Sequence, residues 1–278
     1  MALSSREQRR ISNEASVQFR KKIKLEKSLR RKIDKFFRGQ NGVIKVRLKN
    51  GEIYNAVEAV PELKEILNNH YRKTQATFVI LVIKFLNKSL SRIVKGKKIE
   101  INDTILESTL RTQVVREVSN TTSKMSATTN GIIAKALIDL SRDNITDDNE
   151  KSKYVFDKLE AKRRGRANIT AINETQKASE GAKSAASKEY NDMLEQSGNV
   201  VASTASGYLL IRMIKVWMDQ FDKKVRPWHK DARFQEQNIS DPFIVNGEQL
   251  MHPGDDSLGA SSENTMGCRC DAITTFVI

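Results

Sequence analysis

The sequence predicts an α+β protein: a mainly α-helical N-terminal unit with a small β-hairpin, followed by an α+β C-terminal domain with an antiparallel sheet. Apolar residues recur at three- and four-residue steps through most of the chain up to Leu194. From about Tyr208 the pattern changes to short β-branched and aromatic runs bounded by turn residues. Helices followed by strands, rather than alternating with them, argue against a doubly wound parallel sheet. The 278 residues suit two units better than one. Three segments are expected: a basic helical arm over 1–40, a helical unit over 41–149 with the hairpin near 43–57, and an α+β domain over 150–278.

Element by element, Ile11, Ala15, Phe19 and Ile23 open an amphipathic helix that Ile33, Phe36 and Phe37 continue, until Gly39 and Gly42 end the pattern. Asn50-Gly51 between Val43–Leu48 and Ile53–Val57 is a hairpin signal, since both turn residues must accept positive φ. Pro61 opens a helix running to about Val94, and Lys95-Gly96-Lys97-Lys98 breaks it. A further helix begins near Asn102 or Asp103, the latter a candidate cap. The Ser/Thr-rich stretch from Thr121 to Thr129 reads as a turn or loosely helical connection. Helices then follow from Gly131 to Asp143-Asn144, from Thr146-Asp147 to about Arg164, and from Ala167 to Leu194, the last with a narrow Ala/Thr face. Tyr208–Trp217, Phe243–Val245 and Ala272–Ile278 read as strands, with Asn246-Gly247 as a turn.

Charged residues make up 29% of the chain, and the run Phe78–Ile83 is stopped by Lys84, far short of the roughly 20 apolar residues of a spanning helix. No membrane span is expected, nor a secretory signal, since no apolar stretch and cleavage site follow the early basic residues. The formal charge of +14 is uneven: sixteen Lys/Arg and four Asp/Glu precede Asn50, so +12 of it lies there. Arg9, Arg10, Arg20, Lys21, Lys22, Lys24, Lys27, Arg30, Arg31, Lys32 and Lys35 are the candidate contacts. A cationic helix of this kind suits nucleic-acid phosphates, bound with salt-sensitive and sequence-independent affinity. An acidic protein surface, or anionic lipid entered by Phe19, Phe36 and Phe37, suits it too.

The densest set of reactive residue types is C-terminal: Asp222, Arg226, His229, His252, Asp255, Asp256, Cys268 and Cys270. Cysteines one residue apart cannot close an ordinary unstrained disulfide. His229, His252, Cys268 and Cys270 offer the imidazole and thiolate ligands of zinc, although Cys-x-Cys is tighter than the usual Cys-x2-Cys; cysteines that are merely buried and structural are the alternative. His70, in Asn68-Asn69-His70-Tyr71, is expected to face solvent or cap a neighbour. A nuclease or toxin-like domain would use His229 or His252 as base, with Asp255 or Asp256 on a metal. Against this, His252-Pro253-Gly254-Asp255 has the makings of a tight turn. No P-loop, dinucleotide-binding glycine fingerprint, nucleophile elbow or His-Glu-x-x-His occurs.

The order of the C-terminal residues carries a resemblance. Trp217, Asp222, Val225-Arg226-Pro227-Trp228-His229, Pro242-Phe243, Asn246-Gly247-Glu248-Gln249-Leu250, Pro253-Gly254-Asp255, Gly259–Asn264 and Cys268-Arg269-Cys270 follow one another. They are preceded by Arg166-Ala167, Asn173-Glu174-Thr175, Ala178 and Gly181. Over about residues 150–278 this resembles the phage Mu F-like minor head protein family. Where that family often has Leu-Asp-Gly after the histidine, this chain has Lys230-Asp231-Ala232, and Gly267 stands in place of the usual Asn.

The resemblance implies a head-morphogenesis component of a tailed phage, structural rather than enzymatic, present in few copies as a ring or multi-copy assembly on the portal. It would be assembled in the host cytoplasm and kept in the virion, inside the capsid or at the portal vertex. Its expected partners are the portal protein, other capsid components and packaged double-stranded DNA. Asn173, Glu174, Thr175, Trp217, Asp222, Arg226, His229, Pro253, Gly254, Cys268, Arg269 and Cys270 would then tie strands and loops together, with no cofactor unless zinc is bound.

Overall fold

The computed structural model of the chain describes residues 3–95, 97–197, 201–204 and 207–277. Four long helices come first: α1 (Ser5–Lys49), α2 (Val60–Ile93), α3 (Asp103–Arg142) and α4 (Asp148–Gln196). Then follow β1 (Val201–Thr204), β2 (Gly207–Leu210), β3 (Arg212–Met218), α5 (Pro227–Asp231), β4 (Glu236–Asn238), β5 (Phe243–Val245), β6 (Glu248–Leu250), α6 (Ser262–Thr265) and β7 (Asp271–Val277). The α+β class, mainly helical with a small antiparallel sheet near the C-terminus, is the expected one.

The expected segment boundaries do not hold. Contacts group the chain into one unit of Met1–Leu25, Arg72–Gln113 and Ile172–Ile278, and another of Glu26–Tyr71 and Val114–Ala171. Each long helix contributes to both. Residue 40 lies inside α1 and residue 150 in the first turn of α4, so neither marks a break.

The second unit shows why the hairpin prediction fails. Ile44 and Leu48 continue the helical spacing of α1 into a core with Tyr54, Ile133, Leu140, Val155 and Leu159. That burial outweighs the β-preference of Val43–Leu48 and a cost of roughly 1 kcal/mol for each of Gly39 and Gly42 within the helix. Asn50-Gly51 ends α1 instead of turning a hairpin. Gly51 takes φ +73, its N–H donates to the Leu48 carbonyl at 3.1 Å, and the Glu52 N–H donates to Arg47 at 2.9 Å. These are the two bonds of a helix-terminating Schellman motif. The next residues, Ala56–Ala59, form a 3-10 turn capped by the Asn55 side chain.

Thr121–Thr129 likewise lies inside α3, not in a connection. The hydroxyls of Thr122 and Thr129 donate to carbonyls four residues back, at 2.9 and 3.0 Å, which lets them be buried without leaving the helix. Thr129 also accepts from Arg166 at 2.7 Å, and that guanidinium lies 4.1 Å from the centre of the Phe37 ring. Arg163 pairs with Asp34 and Glu160. His70 is buried edge-on to Tyr71 rather than facing solvent. Helix α4 runs unbroken through Arg164–Ala167, where two helices are expected, and Gly165 meets nothing that would force a bend.

In the first unit Asn102, not Asp103, caps α3, accepting from the N–H groups of Thr104 and Ile105. The break expected at Lys95–Lys98 includes Gly96, and the last strand was expected to include Ile278; both lie outside the described residues. The sheet has the order β4-β3-β7, all antiparallel, with Val216 opposite Ile273 and Met218 opposite Asp271. Alternation along the strands serves two cores. Ile214, Val216, Met218 and Ile273 pack with Ile11 and Ala15 of α1, while Met213 and Phe276 join Leu86, Ala186 and Tyr190 of α2 and α4. Two-stranded β5-β6 turns through Asn246 (φ 53) and Gly247 (φ 76), as expected.

The His252–Asp255 segment is the predicted tight turn: the Asp255 N–H donates to the His252 carbonyl at 3.1 Å and Gly254 takes φ +80. A Cβ at Gly254 would stand 2.8 Å from Cγ of Gln176. Gly254→Ala is therefore expected to lower stability by about 1–3 kcal/mol, read as a reduced urea midpoint with the far-UV circular dichroism of the folded protein unchanged.

Candidate functional site

In the first unit, β3, α5, the α6–β7 connection and the start of β7 bring His229, Cys268 and Cys270 together. All three are buried and their ligating atoms lie within 4.8 Å of one another. Pro227 starts α5 and places His229 on its inner side, under the edge of Trp217 at 5.4 Å between ring centres. Trp217, Phe243, Val245 and Leu250 close the apolar shell around the two cysteines. The Nδ1 atom of His229 is 3.8 Å from Cys268 Sγ and 3.4 Å from Cys270 Sγ.

The imidazole is oriented from behind. Asn264 Oδ1 stands 3.3 Å from His229 Nε2 and accepts from Trp228 Nε1 at 2.7 Å. With Nε2–H directed at Asn264, Nδ1 presents its lone pair to both sulfurs. Asn264 is itself held, its amide donating to the Val245 carbonyl at 3.0 Å and to Glu248 Oε2 at 2.6 Å. Glu248 also accepts from the Ser261 N–H and hydroxyl at the start of α6.

The two thiols are unequal. A hydrogen bond from Cys270 holds Cys268 well below the usual thiol range, against burial. The same bond, together with burial, pushes Cys270 well above it. One imidazole lone pair and two thiols, with separations of 3.4 and 3.8 Å, match the edges of a tetrahedral ion's ligand shell with bonds of about 2.1 Å to nitrogen and 2.3 Å to sulfur. The cluster can hold a metal. It supplies three ligands, and the adjoining surface pocket, lined also by Gln220, Asp222 and Arg226, gives water access to a fourth position. His252 is not part of the set: its ring lies beside its own turn, with Nδ1 3.4 Å from the Pro253 carbonyl.

Several of the other motif residues hold segments of this region to one another. Asn173 of α4 accepts from the Gly267 N–H at 2.8 Å, and Glu174 and Thr175 are buried beside it in the sequence. Arg226 donates to the Met266 carbonyl, and Asp222 accepts from the Lys224 N–H two residues on. The carbonyls of Pro253 and Cys270 accept from Gln176 Nε2 at 3.0 and 2.8 Å, and that of Arg269 accepts from Gln220. Asp255, a metal candidate of the nuclease reading, spends its carboxylate on Met251 and Ser257 within its own loop.

The cationic residues of α1 divide. Arg9, Arg20, Lys21, Lys24, Lys27, Arg30, Arg31, Lys32 and Lys35 are exposed. Arg10 turns inward, donating to Thr275 at 2.7 Å and lying over Phe85. Lys22 is fully buried and is no surface contact. Its ammonium donates to Asp271 Oδ1 (2.7 Å), Gln176 Oε1 (2.9 Å), Glu180 Oε1 (3.0 Å) and the Cys270 carbonyl (3.3 Å). Lys183 completes the cluster, 2.6 Å from Glu180 and 2.7 Å from Asp271. Burial opposes the charge on Lys22, but Asp271 and Glu180 outweigh it and raise its pKa. Burial likewise pushes Glu180 up against the pull of the two lysines. At Asp271 the lysines and the hydrogen bond with Glu180 win over burial and hold the carboxylate ionised.

Sequence reasoning missed Gln176, Glu180 and Lys183. Their signal is a polar row with Ser187 at steps of four, three and four along α4, beside the Ala/Thr face. Comparisons of the chain with protein-family models, with curated proteins and with solved structures return no match.

Hydrogen bonds from Asn264 and Ser261 hold the Glu248 carboxyl below its ordinary 4.5. The folded state therefore binds this proton less readily than the unfolded chain. The resulting stabilisation is fully present above about pH 4.5 and is lost as pH falls through the lower folded value. Thermal unfolding from pH 7 to pH 3 should show Glu248→Gln less stable than the wild type at neutral pH, with the gap closing at the acid end.

Proposed function

We propose that the chain is a structural head component of a tailed phage, associated with the portal and with packaged DNA. The observation that carries this reading is the convergence of the ordered C-terminal motifs on one knot, in which Asn173, Gln176, Arg226 and Asn264 hydrogen-bond backbone groups of other segments and His229 meets the two cysteines. A scaffold role needs such bracing; it asks for no substrate cleft. No described helix is long and apolar enough to cross a membrane.

In this reading His229, Cys268 and Cys270 hold zinc with water in the fourth position, and the ion would cross-brace α5 to the segment entering β7. Protein purified without chelators should carry about one zinc per chain by elemental analysis. The paired change Cys268→Ser and Cys270→Ser should abolish that content and lower the melting temperature, and a chelator should lower it in the wild type alone.

The exposed cations of α1 then face phosphates. Neutralising about five phosphates gives a salt slope near 4 to 5, at roughly 0.9 per contact. Replacing Lys27, Arg30, Arg31, Lys32 and Lys35 by Gln should remove most of that slope in duplex-DNA binding, whereas a flat wild-type response would dismiss the DNA contact. Quantitative mass spectrometry of virions, intact and after DNA release, tests the parent reading. A fixed low copy number relative to portal supports it, and absence from particles rejects it.

A further inference from the structure

The ionic cluster has a composition that a plain salt bridge does not need. Lys183 and Asp271 come from α4 and β7, 88 residues apart, with Nζ to Oδ1 at 2.7 Å and side-chain exposures of 3% and 0%. A carboxyl group, Glu180, touches both lysines, at 2.6 and 3.0 Å. Its other oxygen accepts from the Ala272 N–H at 3.0 Å, so it is fixed by the strand that carries Asp271. Amine, carboxyl and a positioned proton relay are the three parts of amide formation. Their separation from water removes the excess of solvent that favours hydrolysis, and their fixed approach replaces a bimolecular encounter.

We propose that Lys183 and Asp271 condense into an intramolecular isopeptide bond that fastens α4 to β7, with Glu180 as proton relay. A proton passes from the Lys183 ammonium through Glu180 to the Asp271 carboxylate, with which Glu180 shares a hydrogen bond, and the freed Nζ lone pair attacks Cγ of the neutral carboxyl group. The C–N bond forms as a carbonyl electron pair moves onto oxygen. Lys22, 2.7 Å from Oδ1, and Gln220, whose amide donates to Oδ2 at 3.1 Å, face the charge that develops there. The carboxyl oxygen that received the relayed proton takes a second one from nitrogen and leaves as water, breaking its C–O bond, and no oxidant or co-reactant enters. Lys183 rather than Lys22 is the nucleophile because the Lys22 ammonium is shared among four acceptors and remains the stabilising charge. Condensation removes one cation and one anion from a dry interior, where each carries a desolvation cost.

The test is the intact mass of the full chain, folded, purified and then denatured. The expected mass is one water below that of the sequence, with a branched peptide joining Lys183 to Asp271 on fragmentation. Lys183→Arg and Glu180→Gln should both return the full mass, the circular dichroism of each showing whether it folds. A wild-type chain at full mass overturns the proposal whatever the variants do. So does a water deficit that maps elsewhere or survives in Lys183→Arg.

Discussion

The first unit is organised by a buried charge cluster that must be complete or cost dearly. Lys22, Lys183, Glu180 and Asp271 have lost their water, and only their mutual contacts offset that loss. Removing one partner would leave an uncompensated buried charge, a penalty of about 3–5 kcal/mol. Such a cluster is weak evidence for stability and good evidence for specificity. It fixes the register of α1, α4 and β7 in a way that interchangeable leucines would not.

The cluster and the His/Cys/Cys centre meet at the start of β7. Cys270 sends its thiol toward His229 while its carbonyl accepts from Lys22 and Gln176. Asp271, the next residue, aims its carboxylate into the ionic cluster. Successive side chains of an extended chain leave on opposite sides, so two adjacent residues serve two different centres. Each centre therefore constrains the other: tilting the strand to suit the sulfurs would pull Asp271 from its lysines.

How much of this could be read from the sequence depended on whether side-chain chemistry agreed with position. The α+β order, the Asn246-Gly247 and His252–Asp255 turns and the strands of β3 and β7 were legible because turn chemistry and alternation are local. The α1 register was misread. Following apolar side chains leads from Ala15 to Phe19 and Ile23, whereas the buried line runs through Gln18, Lys22 and Leu25. A lysine in a core position looks like surface until its carboxylate partners, more than 150 residues away, are known. Asn50-Gly51 misled for a related reason. The positive φ that permits a hairpin also permits a helix stop, and only the burial of Ile44 and Leu48 decides between them. At the candidate metal site the sequence supplied His229, Cys268 and Cys270, but it could not separate His252, which a rigid turn directs elsewhere.

The division of the chain into units also orders the events of synthesis. The unit of Glu26–Tyr71 and Val114–Ala171 has all its residues by Ala171. The other contains both Lys22 and Asp271, so its ionic cluster waits for β7. On a ribosome emitting about 5–20 residues per second, a chain grown just past Lys183 would carry every residue of the one unit while Lys22 and Lys183 still lack Asp271. The charges of α1 that later vanish into the interior are, for those seconds, part of its cationic surface, and a nascent chain would be more basic to its surroundings than the finished one.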